Sequence, residues 1–298
     1  MFWGIVIAIV FILILVISVY LARFTVYGRR QTMEESWQWQ MEHSPATQIL
    51  KPSDFVEYTV TGEDGYVYHC AFYQAKRPTN RYVILVHGYT DTRWGMLKYL
   101  QFYASLNINC ILFDQRGHGL NERTFCTYTV KECGCLKTIY EDSLQRYGRD
   151  IHLGLHGESL GGATILEFMK YGLPVDFYVA DCGFVDLMHV LKHGLHAMHL
   201  PSFLVYTASV CSKVMFGFTF GSVKPLMHVV GNKVPILFMH GAEDDLILPS
   251  HSQSAYDVCK GERYIHLFEG AGHAQSAEVC PQKYREVLET FLRKIGFI

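Results

Sequence analysis

The chain has 298 residues, half of them hydrophobic, and a formal net charge of −2. That is enough apolar material for one large core or two small ones. The weak net charge and the lack of any long basic run exclude the electrostatic footprint that binding to nucleic acid requires.

Residues 1–22, "MFWGIVIAIVFILILVISVYLA", carry no charged side chain before Arg23. A helix needs about 20 apolar residues to cross a bilayer, so this stretch predicts a single-pass transmembrane anchor. The competing reading is a cleaved signal peptide. However, the apolar run exceeds the roughly 7–15 residues of a signal core, no basic residue precedes it, and no small-x-small cleavage site closes it. Trp3 and Tyr20 sit near its two ends, where amphipathic rings favour the interface. The flanking positive charges, Arg23, Arg29 and Arg30, all lie on the C-terminal side, which predicts that the large domain that follows is cytoplasmic. Residues 23–53 form a polar juxtamembrane segment holding Trp37 and Trp39. It either lies on the membrane surface or packs on the domain.

A strand rhythm begins at residue 54. "FVEYTV" and "GYVYHCAFY", separated by "TGEDG", predict a hairpin. "YVILVHG", "INCILFDQRG", "IHLGLHG", "VDFYVAD", "VPILFMHG" and "RYIHLFEGAG" follow. Five of these six are continuous apolar runs, the pattern of strands covered on both faces. Helical stretches at about 92–105, 131–147, 160–171, 250–260 and 281–295 alternate with them, predicting a mostly parallel sheet with helices on both sides. The rhythm breaks once, at about 184–228, where a Phe-, Met- and Leu-rich insertion predicts a crossover helix plus a small helical lid. The nine cysteines, odd in number and scattered from Cys70 to Cys280, predict reduced thiols. The closest pair, Cys133 and Cys135, lacks the second ligand pair that a metal site needs.

One segment carries the chemistry. The strand "IHLGLH" runs straight into Gly157-Glu158-Ser159-Leu160-Gly161, and a helix follows. That is the strand–turn–helix setting of a G-x-S-x-G nucleophile elbow, in which a strained serine projects at the carboxyl end of the sheet. A serine hydroxyl is a poor nucleophile at neutral pH and needs a base, which in turn needs an orienting acid. In this fold the chain order is Ser, acid, His. "FMHGAEDDLILP" supplies Asp244 after the next-to-last strand, with Asp245 beside it as a rival, and "LFEGAGHAQS" supplies His273 after the last.

With these residues in place, the chain resembles the α/β-hydrolase superfamily, and most of all its branch of serine aminopeptidases and monoacylglycerol-lipase-like esterases, which includes membrane-anchored bacterial members. "VHGYTD", "DQRGHGLN" (with Asn121 where the family usually has Ser), "GESLGG", "HGAEDD" and "GAGH" carry the resemblance over residues 54–298. It implies an eight-stranded, mostly parallel sheet. It also implies Ser159 as nucleophile, His273 as general base and acid, and Asp244 as the residue that fixes the imidazole. The oxyanion hole would be built from the backbone N–H groups of Leu160 and Tyr89. Counting from His240 selects Asp244, and counting back from Pro249 selects Asp245; the expected places of Leu246 and Ile247 favour Asp244. His118 is expected to be a structural loop histidine. His87, His156 and His240 are expected to pack and to bond within turns, and Asp114 and Arg116 to pin their loop. Glu158 is expected to point away from the reaction.

The implied activity is serine-dependent hydrolysis of carboxylic esters with hydrophobic, lipid-like acyl groups, and the Phe- and Met-rich lid would line the acyl pocket. Two alternatives stand beside it. One is aminopeptidase or amidase activity. The other is a membrane-tethered binding protein that has kept the fold and lost the chemistry. No cofactor and no metal are implied, since the triad and backbone donors suffice. The expected partners are a small-molecule ester or lipid and the membrane.

Overall fold

In the computed structural model, which describes residues 1–44 and 47–298, the strands are β1 (Phe55–Thr61), β2 (Val67–Tyr73), β3 (Arg81–Val86), β4 (Asn109–Phe113), β5 (His152–Glu158), β6 (Phe177–Asp181), β7 (Ile236–Gly241) and β8 (Arg263–Phe268). They form one sheet in the order β1-β2-β4-β3-β5-β6-β7-β8. Only the two pairings made by β2 are antiparallel; the other five are parallel. This is the α/β-hydrolase fold. The chain runs from β3 outward to β4 and then returns to β5 on the other side of β3. The carboxyl ends of β3 and β5 therefore flank the crevice where open parallel sheets bind ligands.

The helices are α1 (Phe2–Val26), α2 (Met33–His43), α3 (Leu97–Ser105), α4 (Glu132–Tyr147), α5 (Leu160–Phe168), α6 (Leu187–Ala197), α7 (Phe203–Phe216), α8 (Leu226–Val229), α9 (Ser250–Val258), α10 (Ser276–Val279) and α11 (Pro281–Lys294). The two faces of the sheet carry separate cores, which accounts for the continuous apolar runs. Along β3, Val83 and Leu85 enter the core shared with α3 and α11, while Ile84 and Val86 enter the core shared with α4 and α5. β4 alternates in the same way, with Cys110 and Leu112 on one side and Ile111 and Phe113 on the other. α11 closes the first core with Tyr284, Leu288, Phe291 and Leu292, a stripe at i, i+4, i+7 and i+8. Truncating a fully buried leucine such as Leu288 to alanine costs about 2–5 kcal/mol, because the vacated space collapses only in part.

The stretch predicted as an insertion at about 184–228 holds α6, α7 and most of α8, and the first two form a third apolar cluster with the end of α1. α1 continues past residue 22 to Val26, and its last turns are part of the domain: Ser18, Ala22 and Val26 are buried. It is also long and apolar enough to cross a membrane. α2 packs on the domain. Thr32 caps it through a reciprocal bond with Glu35, and Trp37 meets Trp94 edge-on with ring centroids 5.2 Å apart. Trp39 remains 48% exposed, stacked on His43.

Candidate active site

The elbow is built by backbone crowding. Ser159 takes φ +52° and ψ −113°, a conformation rarely adopted by a non-glycine residue. Its N–H donates to the Asp181 carbonyl at 2.8 Å, which ties the bend to β6. A Cβ on Gly161 would run into the Val86 carbonyl at the end of β3, and one on Gly157 would run into the Gly161 carbonyl. These two positions therefore require glycine for close approach of backbones. Leu160 opens α5, so its N–H has no intrahelical acceptor.

The three expected residues meet there. His273, in the loop after β8, places Nε2 2.9 Å from Ser159 Oγ. Its Nδ1 lies 2.7 Å from Asp244 Oδ2. The carboxylate calls for the proton on Nδ1, which leaves Nε2 to accept from the serine hydroxyl. Asp245 is exposed and takes no part in this line; its carbonyl accepts from His193 Nε2.

Asp244 is buried and held from several sides. Its Oδ1 accepts the N–H groups of Leu246 and Ile247 at 3.0 and 2.9 Å. Its Oδ2 also faces His240 Nε2 at 3.1 Å. His240 Nε2 has a second acceptor in the Ile247 carbonyl at 2.7 Å, and its Nδ1 faces Ser252 Oγ at 2.7 Å. Two acceptors around Nε2 call for the proton there, so His240 donates toward Asp244. Burial alone would raise the Asp244 pKa. The donors from His240 and His273, with the backbone N–H of Ile247, outweigh it and hold the carboxyl well below the usual carboxylate range. The acid is therefore ionised throughout the neutral range. The sequence marks His240 only as a strand-end histidine; its bond to the acid depends on the turn closing over it.

Behind the elbow lies a buried charge cluster. Glu158 pairs with Lys98 at 2.7 Å and accepts from Tyr99 OH at 2.6 Å. Lys98 Nζ also donates to the Ala274 carbonyl at 2.7 Å and lies 3.4 Å from Glu278. Burial disfavours the ammonium, but Glu158 and Glu278 more than compensate and raise its pKa above the ordinary lysine value. Lys98 thus joins the residue before Ser159 to the residue after His273. Its sequence signal is a single cation in "MLKYL", the one charged residue of α3.

The other loop residues are structural. His87 Nε2 accepts the Gln115 N–H at 2.8 Å. His156 is enclosed by Tyr103 and Tyr284, and burial with the Lys98 charge lowers its pKa to about 3. His118 is buried, with its pKa depressed by burial and by His87. Asp114 pairs with Arg93, and Arg116 with Asp64. Asn121, in place of the usual serine, accepts the His69 N–H and donates to the Asp114 and Gln115 carbonyls, pinning the same loop.

Tyr89 lines the site and has a further contact that the sequence does not announce. Its hydroxyl donates to the Thr25 carbonyl at 2.8 Å and accepts from the Gly28 N–H at 2.8 Å, so it clasps the end of α1. An apolar cavity of about 280 Å³ reaches Ser159 between Leu160, Phe184, Leu195 and Val205, and Leu21 and Phe24 of α1 form part of its wall.

Residues 77–209 match the family profile described as "Serine aminopeptidase, S33". In this profile and in its fold the chain is similar to the α/β-hydrolases. Among curated proteins it is 28% identical to the uncharacterized protein YqkD of Bacillus subtilis, over 82% of this chain and 80% of that one. It is 22% identical to the uncharacterized membrane protein YNL320W of Saccharomyces cerevisiae, over 66% and 65% of the two chains. Among solved structures, the Pyrococcus furiosus esterase Pf2001 superposes with a TM-score of 0.69 at 21% identity, covering 83% of this chain and 94% of that one. The Pyrococcus horikoshii acylaminoacyl peptidase superposes with a TM-score of 0.62 at 17% identity, covering 83% and 42%.

Proposed function

We propose that the protein is a membrane-anchored serine esterase acting on carboxylic esters with apolar acyl chains. The observation that carries this reading is the hydrogen-bonded line from Asp244 through His273 to Ser159, at the wall of an apolar cavity. Ser159 Oγ attacks the ester carbonyl carbon while His273 Nε2 takes its proton. The carbonyl oxygen becomes an oxyanion facing the N–H groups of Leu160 and Tyr89. His273 returns the proton to the departing alkoxide, and an acyl-enzyme remains. Water, deprotonated by the same imidazole, releases the acid and restores the serine. Asp244 stabilises the imidazolium in both halves.

Esters are favoured over peptides because the lining of the cavity at Ser159 is apolar and contains no carboxylate to bind a free amino terminus. The esterases among the structural neighbours favour the same reading. The burial of Ser18, Ala22 and Val26 against the domain supports α1 as a retained anchor, since cleavage would strip one wall from the cavity. Arg23, Arg29 and Arg30 favour a cytoplasmic domain, which protease protection of intact cells checks.

The test is turnover of p-nitrophenyl esters against aminoacyl anilides by the full chain in detergent. Ester turnover should dominate and should fall by at least ~10³-fold in Ser159→Ala. Anilide turnover exceeding ester turnover would replace esterase with amidase. Equal rates for wild type and Ser159→Ala would remove Ser159 from the reaction.

A further inference from the structure

α1 and α7 lie side by side and run in the same direction. Ser18 Oγ donates to Thr207 Oγ1 at 2.6 Å, and Tyr27 meets Phe216 edge-on at 5.9 Å. The contact advances nine residues on each helix, from 18 to 27 and from 207 to 216. Ile14, one turn earlier on α1, packs against the same apolar cluster.

This register fixes how deep α7 sits. If α1 spans the bilayer from Phe2, a hydrocarbon layer of about 30 Å takes up about 20 residues and ends near Leu21. At about 1.5 Å per residue, Ser18 lies ~5 Å inside the hydrocarbon and Ile14 ~10 Å inside. Thr207 is level with Ser18, so Phe203, four residues earlier, is level with Ile14. Lys213 falls ~5 Å outside the hydrocarbon edge by the same count, among the headgroups.

The surface chemistry of α7 matches those depths, with one cation on this face, Lys192, whose Nζ donates to Tyr206 OH at 2.5 Å and whose long stem lets the charge reach toward the headgroups. Phe203, Tyr206, Val210 and Val214 form an outward stripe, exposed by 48, 54, 64 and 83%. From His193 to Ser212 the chain has 20 consecutive residues with no Asp, Glu, Lys or Arg, bracketed by Lys192 and Lys213. Its polar groups are hydroxyls and imidazoles. Amphipathic segments of this kind settle about 5–10 Å into the boundary between headgroups and acyl chains. Phe24 and Met198, which line the cavity that reaches Ser159, are themselves 62 and 55% exposed.

We infer that the 198–203 loop and the first two turns of α7 are inserted beside α1 in one leaflet, and that the cavity opens onto that leaflet. The substrate class is an acyl ester dissolved in the bilayer, which enters sideways with its chain already out of water. The delivery part of this inference rests on the esterase reading; the membrane position of α7 does not.

Two measurements on the full chain in phosphatidylcholine vesicles test it. In the first, the photo-crosslinker p-benzoylphenylalanine replaces Tyr206 or Val210, with Ile9 as a positive control and Val279 on α10 as a negative one. Phospholipid adducts at 206 and 210 as well as 9, with none at 279, support the insertion. Adducts at 9 alone overturn it. In the second, the double variant Phe203→Glu/Val210→Glu, at positions outside the cavity lining, is assayed on two esters with one leaving group. These are 4-methylumbelliferyl decanoate dissolved in the vesicles and 4-methylumbelliferyl butyrate in water. Delivery from the leaflet predicts at least a tenfold loss on the decanoate and less than a twofold change on the butyrate. Equal losses, or no loss, overturn it. If wild type turns over neither ester, the esterase reading fails, and the crosslinking still decides where α7 lies.

Discussion

The Lys98 ammonium lies 2.7 Å from the Glu158 carboxylate, and both side chains are only 7% exposed. The same ammonium donates to the Ala274 carbonyl, so one cation holds the residue before Ser159 and the residue after His273. Breaking a buried pair by removing one partner leaves an uncompensated charge and costs about 3–5 kcal/mol. Lys98→Met should therefore lower the unfolding free energy by that amount and reduce kcat by releasing the histidine loop. Adding Glu158→Gln removes the stranded charge and should restore more than half of the stability but less of kcat. Urea unfolding and steady-state kinetics in detergent check both.

Asp244 and Asp245 are adjacent, yet only Asp244 touches His273. Asp244→Asn would change the donor–acceptor match with Nδ1 and should lower kcat by ~10⁴-fold, as expected when the imidazole is held in the wrong tautomer. Asp245→Asn, at an exposed side chain, should change kcat less than about twofold. Ester kinetics on the two variants separate them.

The inner strands were legible as continuous apolar runs because burial on both faces removes the polar alternation, whereas the largely exposed β1 was legible only as half of a hairpin. The elbow was legible because strand, glycines and helix are contiguous there. Asp244 and His273 could be singled out because each lies in the loop just after a strand, in a fixed chain order. What the sequence concealed depends on contacts between distant segments: Tyr89 clasping Thr25, Lys98 reaching Ala274, and α7 lying along α1. Each helix could be anticipated as apolar, but an apolar stripe does not name its partner. A capping pattern was available for α2, since Thr32 and Glu35 stand at capping-box spacing.

Asp181 is wholly buried. Its pKa is pushed up to about 6 by burial and the nearby Glu158 charge, with Tyr284 OH as a partial counterweight. A carboxyl with a pKa of about 4 when unfolded holds its proton more tightly in the folded chain. Stability therefore falls as the pH rises from about 4 to about 6, a cost on the order of 3 kcal/mol at neutral pH. Asp181→Asn should raise the Tm at pH 7.5 by several degrees and change it little at pH 4.5. Differential scanning fluorimetry in detergent at the two pH values reads the difference.

The cavity of about 280 Å³ is nearly twice the ~150 Å³ of an engineered site that holds benzene. It has room for roughly ten acyl carbons by that comparison. In a graded series of p-nitrophenyl esters, kcat/KM should peak at medium chain length. Narrowing the cavity with Ala208→Phe should move the optimum to shorter chains while acetate turnover stays within about threefold.

The most direct test of the central claim is peptide mapping by mass spectrometry after treatment with a fluorophosphonate. One stoichiometric adduct is expected, on Ser159, forming much more slowly in His273→Ala and absent in Ser159→Ala. An ester-hydrolysing wild type whose adduct falls on another residue, or that labels at the same rate without His273, would contradict it.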